Sequence, residues 1–167
     1  MQSVRTAEPR NTLALPAIED EDAASRSAAR LLITSSTRAG VESAARRVHL
    51  AGSRAALPFV RTWACDLPIE AEALREQCCR LLDAAAGGSL LIADIEEMPP
   101  VVQDVLIEVL DGLELSRGPL AAVRLISGTT ESLLDRVTAG TFSERLFYRL
   151  NIIHLVVGNG SPATARN

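Results

Sequence analysis

Residues 31–49 read LLITSSTRAGVESAARRVH, and the change of pattern inside them sets the architecture. Leu31 to Thr34 is an apolar run of the length of a buried strand. Ser35, Ser36 and Thr37 follow, residues suited to open a helix, and a helical pattern occupies Gly40 to Ala51. The alternation continues along the chain. Apolar runs at Pro58 to Thr62, Ser89 to Ile92, Ala122 to Ser127 and Ile152 to Val157 predict four more strands. Helical patterns fill Glu70 to Ala86, Pro99 to Leu113, Ser132 to Ala139 and Ser143 to Leu150. In the second of these, Val102, Val105, Leu106, Val109 and Leu110 recur at three- and four-residue spacing, one face of a helix. Strands alternating with helices predict an α/β domain on a mostly parallel sheet. Residues 1–28 hold Pro9, Pro16 and the acidic run Glu19 to Asp22 and read as a flexible tail. Residues 29–157 read as the core, and 158–167 as a disordered end.

Composition narrows the classes. A length of 167 residues suits one domain. Apolar residues make up 47% but aromatics only 3%, so the core must be aliphatic. A net charge of -4 gives no overall attraction to phosphate backbones. All 17 basic residues are arginine, which excludes any function that needs a lysine ammonium. Cys65, Cys78 and Cys79 lack the spacing and the neighbouring histidine of a metal site and read as reduced thiols, small hydrophobes on a helix. No metal is expected. The polar N-terminus (Gln2, Arg5, Glu8, Arg10) is no signal peptide, and no apolar run approaches the roughly 20 residues of a membrane span. The expectation is a soluble cytoplasmic protein without membrane contact.

Ligands of such sheets sit beyond the carboxyl ends of the strands, so the loop from Thr34 to Glu42 is the first candidate site. A phosphate-binding loop there would read glycine, four residues, glycine, lysine, then serine or threonine. The glycines let backbone amides wrap the phosphates, the lysine neutralises them, and the hydroxyl holds magnesium. This chain has Ser35 at the first glycine position, Gly40 at the second, Val41 for the lysine and Glu42 for the hydroxyl.

The remaining segments carry a resemblance. GGSLLIADIEEMP (87–99) resembles the Walker B segment of the AAA+ domain of bacterial enhancer-binding proteins, the sigma-54 interaction domain. Residues 31–49 resemble that family's first strand, loop and helix; Pro58-Phe59-Val60 and Leu67-Pro68 resemble its second strand and exit. Val102 to Leu115 is similar to the following helix, VRLISGTT (123–130) to the sensor strand, and TFSERLFYRLN (141–151) to the arginine-bearing segment. The resemblance runs in order from residue 31 to 157. It implies a three-layer αβα sandwich with a five-stranded P-loop NTPase-like sheet in the order 5-1-4-3-2.

The departures from the family pattern govern the functional expectation. Its Walker B Asp-Glu pair falls on Ala93 and Asp94, and alanine cannot coordinate a cation. The asparagine that restrains the glutamate falls on Trp63, and the sensor asparagine on Thr130. Of two arginines in the last segment, the first falls on Ser143 and the second is kept as Arg149. A helical pattern runs from Glu70 straight to Gly87, where the family inserts its sigma-54-contacting loop. The sequence ends after the fifth strand, so neither the lid nor the DNA-binding module of the family is expected.

Ser35, Thr37, Arg38, Gly40, Val41, Glu42, Ala93, Asp94 and Thr130 are therefore read as a vestigial nucleotide site with no catalytic residue. Arg38 stands at a family glycine, where its stem would crowd the loop. Phosphoryl transfer is largely positioning and charge stabilisation, and the losses remove both. The expectation is a non-catalytic pseudo-ATPase relative with no cofactor, or with residual weak ATP or ADP binding. It would act through a protein partner, an intact AAA+ relative or another transcription regulator, without direct sigma-54 contact or DNA binding of its own. Arg149 is the candidate interface residue; the plainer reading is an ion pair supporting its own helix. The alternative function is a weak nucleotide sensor that does not hydrolyse. New enzymatic chemistry is the remote third, since no nucleophile stands near a base. Trp63 reads as packing at a strand end, His49 as a cation at a helix C-terminus, and His154 as core or sheet edge. Glu96 and Glu97 could join Asp94 around a divalent metal but read better as acids opening the next helix. Arg46 and Arg47 read as solvated face.

Overall fold

A computed structural model describes residues 20–115 and 122–158. Five strands, β1 (Leu31–Ser35), β2 (Phe59–Trp63), β3 (Ser89–Ala93), β4 (Arg124–Thr129) and β5 (Ile153–Val157), form one sheet in the order β2-β3-β4-β1-β5. Every pairing is parallel. This is the expected order read from the other edge, and each strand lies within two residues of its sequence assignment.

Among the described residues six α-helices accompany the strands: α1 (Glu21–Arg26), α2 (Arg38–Ala51), α3 (Ala71–Ala84), α4 (Pro100–Leu115), α5 (Leu133–Thr138) and α6 (Glu144–Leu150). Both faces of the sheet are covered, which is why the central strands are apolar throughout and do not alternate. Leu31 and Ile33 of β1, with Leu91, Ile126 and Leu155, pack under Val41, Ala44, Ala45 and Val48 of α2. Leu32, Leu90, Ile92 and Leu125 pack on the opposite face with α3, α4 and α6. Side chains of successive strand residues leave on opposite faces, so β1 serves both cores at once. Ser132 and Ser143 cap α5 and α6 by accepting the amides of Asp135 and Leu146.

The structure corrects the tail assignment at its inner end. Residues 20–28 include α1, capped by Asp20 and packed through the fully buried Ala24. Glu21 forms a two-pronged ion pair with Arg47 (2.6 and 2.8 Å), so Arg47 holds α1 and is not free surface. Arg124, buried at the start of β4, donates to the carbonyls of Ala24 (2.8 Å) and Ala29 (3.0 Å). These bonds join α1 to the sheet where composition shows only polar and small residues. Residues 1–19 and 159–167, the rest of the tail and nearly all of the disordered-end assignment, lie outside the described residues. No described helix is long and apolar enough to cross a membrane.

Candidate functional site

The carboxyl ends of β1, β3 and β4 bring most of the candidate residues together. β1 ends at the buried Ser35, and α2 begins three residues later at Arg38. Thr37 caps α2: its Oγ1 accepts the amide of Gly40 at 3.0 Å. The helix amide at the second glycine position is thus satisfied by the chain itself. Any side chain at Gly40 would run into the Ser35 hydroxyl, so this glycine serves the close approach of strand and helix. Among the described residues only Asp94, Gly87 and Gly140 have positive φ. Nothing between Ser35 and Gly40 takes the left-handed conformation that helps curl successive amides around an anion.

Val41 is 2% exposed and belongs to the core between α2 and the sheet. Gly128 of β4 makes its room; a Cβ there would fall far inside van der Waals contact with Val41 Cγ1. The lysine position has become a core position, and the facing strand carries the residue that lets it be one. Glu42 pairs with Arg61 of β2 and with Arg46 one turn on. The Arg61 hydrogen bond holds its carboxyl below the usual range. Arg61 lies over the half-buried Trp63 ring and Arg46 over Phe59, each 5.1 Å from the centroid. Glu42 therefore faces the edge strand and ties α2 to it; Arg46 covers an aromatic ring and is more than solvated face.

Arg38 corrects the expectation of crowding. It is the first residue of α2, and its side chain leaves the loop to cross toward β3. Nε lies 3.0 Å from Asp94 Oδ2, and Nη2 donates to Glu97 Oε1 at 2.9 Å. Asp94 follows the buried Ala93 and is itself 3% exposed. Its backbone is left-handed (φ 55°, ψ 41°), where aspartate is tolerated better than most residues but still strained. Oδ2 has the charge of Arg38 beside it but no well-aligned hydrogen bond. Burial raises the Asp94 pKa, and Arg38 opposes the rise.

Glu96 and Glu97 do not open α4, which starts at Pro100; they form a one-turn 3-10 helix directly after Asp94. Glu96 is buried, and its Oε1 accepts both the amide (2.8 Å) and the hydroxyl (2.9 Å) of Thr130. One carboxylate thereby fixes the sensor position to the end of β3. Sequence reasoning missed this role; an acid two residues after a strand end is a weak signal until the facing residue is known. Among the described residues no three acidic, histidine or cysteine side chains converge to hold a metal.

A second space adjoins this cluster. A cavity of about 410 Å³ lies at the carboxyl ends of β1 and β5, bordered by Thr34, Ser36, Ser132, His154 and Asn151. His154 Nε2 meets Thr34 Oγ1 at 2.8 Å, and burial lowers the imidazole pKa. Asn151 is buried with Oδ1 unpartnered. His154 lies on an edge strand and Trp63 at a strand end, as the sequence indicates. His49 does not act as an exposed helix-end cation: it is 4% exposed, bonded to Ser89 Oγ (3.0 Å), and pushed toward neutrality by burial. Of the cysteines only Cys78 is buried, its thiol raised to about 11; Cys65 and Cys79 are exposed.

Arg149 lies at the other end of the sheet. It sits in the last turn of α6, just before β5, and its fork is taken by Asp111 and Glu114 of α4. This is the plainer of the two readings, an ion pair that holds α6 on α4.

Comparison with known proteins fits this arrangement. A family model described as the sigma-54 interaction domain matches residues 70–156. The regulatory protein AtoC of Escherichia coli K12 is 35% identical over 149 residues, covering 78% of this chain and 32% of that protein. The transcriptional regulatory protein XylR of Pseudomonas putida is 33% identical over 153 residues, covering 80% and 27%. The chain thus spans about a third of the length of these curated relatives. The crystal structure of NtrX from Brucella abortus in complex with ATP superposes with a TM-score of 0.68 at 27% identity, over 83% of this chain and 35% of that one. The P-loop NTPase domain of a sigma-54 activator from E. coli, at TM-score 0.59 and 19% identity, shares the fold over 82% of this chain and 96% of its own. In fold, motif order and sequence, this chain belongs to the sigma-54 interaction domain family.

Proposed function

We propose that this chain is a non-catalytic member of its family, a pseudo-ATPase that acts as a regulatory protein–protein interaction module. The observation that carries the reading is the Arg38 bridge. The guanidinium at the start of α2 pairs with Asp94 and Glu97 across the space where a magnesium-bound phosphate would lie. Thr37 meanwhile takes up the amide of Gly40. A nucleotide would have to break these contacts, and Val41 offers no compensating cation. Loss of a single preorganised group commonly costs about a hundredfold or more in rate; here the lysine, the magnesium carboxylate and the water-orienting residue are replaced together.

The partner in this reading is an intact relative or another transcription regulator. Direct sigma-54 contact is not part of it, because α3 passes into β3 through only Ala85 to Gly88. Nor is DNA binding by this chain alone, given its net charge of -4. The test is calorimetry with ATP and ADP plus magnesium, a coupled ATPase assay, and identification of what copurifies from the source cell. Dissociation constants weaker than about 1 mM and no turnover are expected. Micromolar ATP binding or hydrolysis above background would refute the reading.

The second reading is a weak nucleotide sensor without hydrolysis. The cavity beside His154 favours it, since it offers hydroxyls and an unpartnered Asn151 oxygen next to the loop. It requires ADP or ATP to raise the melting temperature saturably at millimolar concentration.

A further inference from the structure

On the face of the sheet covered by α3 and α4, toward the amino ends of the strands, lies a half-open cavity of about 480 Å³. Leu90 and Leu125 form its floor; Leu81 of α3 and Val109 and Leu113 of α4 form its walls. Interiors normally close to the density of organic crystals. The described residues leave this one unfilled; its lining is mainly aliphatic and holds no aromatic ring. Its size falls among small-molecule sites, which are lined mainly by apolar side chains with a few polar groups placed to orient the ligand.

The charged side chains of this lining are Arg30 and Glu114, both at one end. Arg30 Nη2 meets Glu114 Oε1 at 2.9 Å, and its Nη1 donates to the Arg149 carbonyl at 3.2 Å. Arg149 also pairs with Glu114 and Asp111, and Arg145 with Asp111 at 2.7 Å. Among the described residues three guanidiniums thus share two carboxylates, leaving one positive charge in excess beside an apolar interior. Ile152, also in the lining, is apolar and 49% exposed.

We propose that this cavity binds an aliphatic carboxylate, with its hydrocarbon chain between α3, α4 and the sheet and its carboxylate at Arg30. The cavity supplies the apolar length and the arginine excess supplies a single compensating charge, which suits a monoanion. The site lies at the opposite ends of the strands from the Arg38 bridge and does not depend on the fate of the nucleotide loop.

The experiment is calorimetric titration of the whole chain with straight-chain carboxylates from six to fourteen carbons, below their micelle concentrations. One molecule should bind per chain, about fourfold more tightly for each added methylene until the cavity is full, and no more tightly beyond. Val109→Trp, which fills the space, should weaken binding at least tenfold while the melting temperature holds. Arg30→Gln should weaken decanoate at least tenfold and leave decanol unchanged. Absence of saturable binding, several molecules per chain with no plateau, or unchanged binding by folded Val109→Trp would overturn the proposal. Should that variant fail to fold, the plateau and the comparison of decanoate with decanol on Arg30→Gln decide.

Discussion

Removing the Arg38 side chain separates a cation that holds the site shut from one that is incidental. In the pair with Asp94, the Arg38 side chain is 60% exposed and the Asp94 side chain 4% exposed. Exposed pairs contribute about 0–1 kcal/mol, whereas stripping the partner from a buried charge costs about 3–5 kcal/mol. Asp94 is on the buried side and Arg38 on the wet side, so Arg38→Ala should cost about 2 kcal/mol at pH 7. Protonation of Asp94 limits the loss, since burial already raises its pKa. The sign follows. A folded-state pKa above the unfolded value means that the native state binds the proton more tightly, so the stability associated with this group falls as pH rises through the window above its unfolded pKa of about 3.9. Without Arg38 the pKa rises further, and the penalty should shrink as the pH is lowered from 7 toward 5. Asp94→Asn keeps a side chain tolerant of the left-handed backbone and removes the buried charge. On that background Arg38→Ala should cost less than about 0.5 kcal/mol. Urea denaturation of the two single variants and the double variant closes the cycle. Equal costs of Arg38→Ala with and without Asp94 would refute the bridge as an electrostatic lock. None of these variants should gain micromolar affinity for ATP, because Val41 and Glu42 are unchanged.

The other predictions concern the packing around this site and the titrating groups. Gly128→Ala should destabilise by about 1–3 kcal/mol through overlap with Val41, and adding Val41→Ala should recover part of it; equal melting temperatures for Gly128→Ala and the parent would sink the account. Burial lowers the pKa of both His49 and His154, so the unfolded state takes up protons first and stability should fall as pH drops through about 6.5. His49→Gln should flatten that part of the pH profile of the melting temperature. Cys65 and Cys79 should react with a thiol reagent in the native protein and Cys78 only on unfolding, which peptide mapping after brief alkylation would check.

The architecture was legible because its signals are short-range. Apolar runs of four to six residues alternate with helical patterns, and parallel pairing follows from that alternation. The P-loop departures were legible for the same reason, since Val41 and Glu42 are wrong by residue type alone. What stayed hidden depends on who faces whom. Nothing in the sequence tells that Gly128, 87 positions after Val41, is what lets a valine sit there. Glu96 reads as a helix-opening acid until Thr130 is placed opposite it. Arg38 reads as an obstruction because a loop residue next to a strand end has two exits, and the chosen one depends on the carboxylates beyond β3. His49 was misread because its helix end is buried against Ser89 and Phe59 instead of facing water. The inner part of the tail was misread because α1 is only six residues long and is held by Arg47 and Arg124 from distant elements.

The two ends of the sheet treat charge in opposite ways, and this bears on where regulation of such a chain can enter. At the carboxyl ends, Arg38 is shared by Asp94 and Glu97, Glu42 is held by Arg61 and Arg46, and Glu96 is spent on Thr130. Opening that end for an anion requires breaking ion pairs with no lysine to replace them. At the amino ends the pairing of α4 with α6 and Arg30 leaves, among the described residues, a guanidinium in excess beside an unfilled apolar space. A ligand there gains burial without first displacing a buried charge. A ligand can shift a conformational equilibrium only by its difference in affinity for the two states. The Arg38 bridge offers little such difference, whereas the amino end joins α4, α6 and the segment before β1 through Arg30 and Arg149. An occupant wedged under α4 would bear on all three. If this chain takes a signal, the amino ends of its strands are where the packing can yield to it.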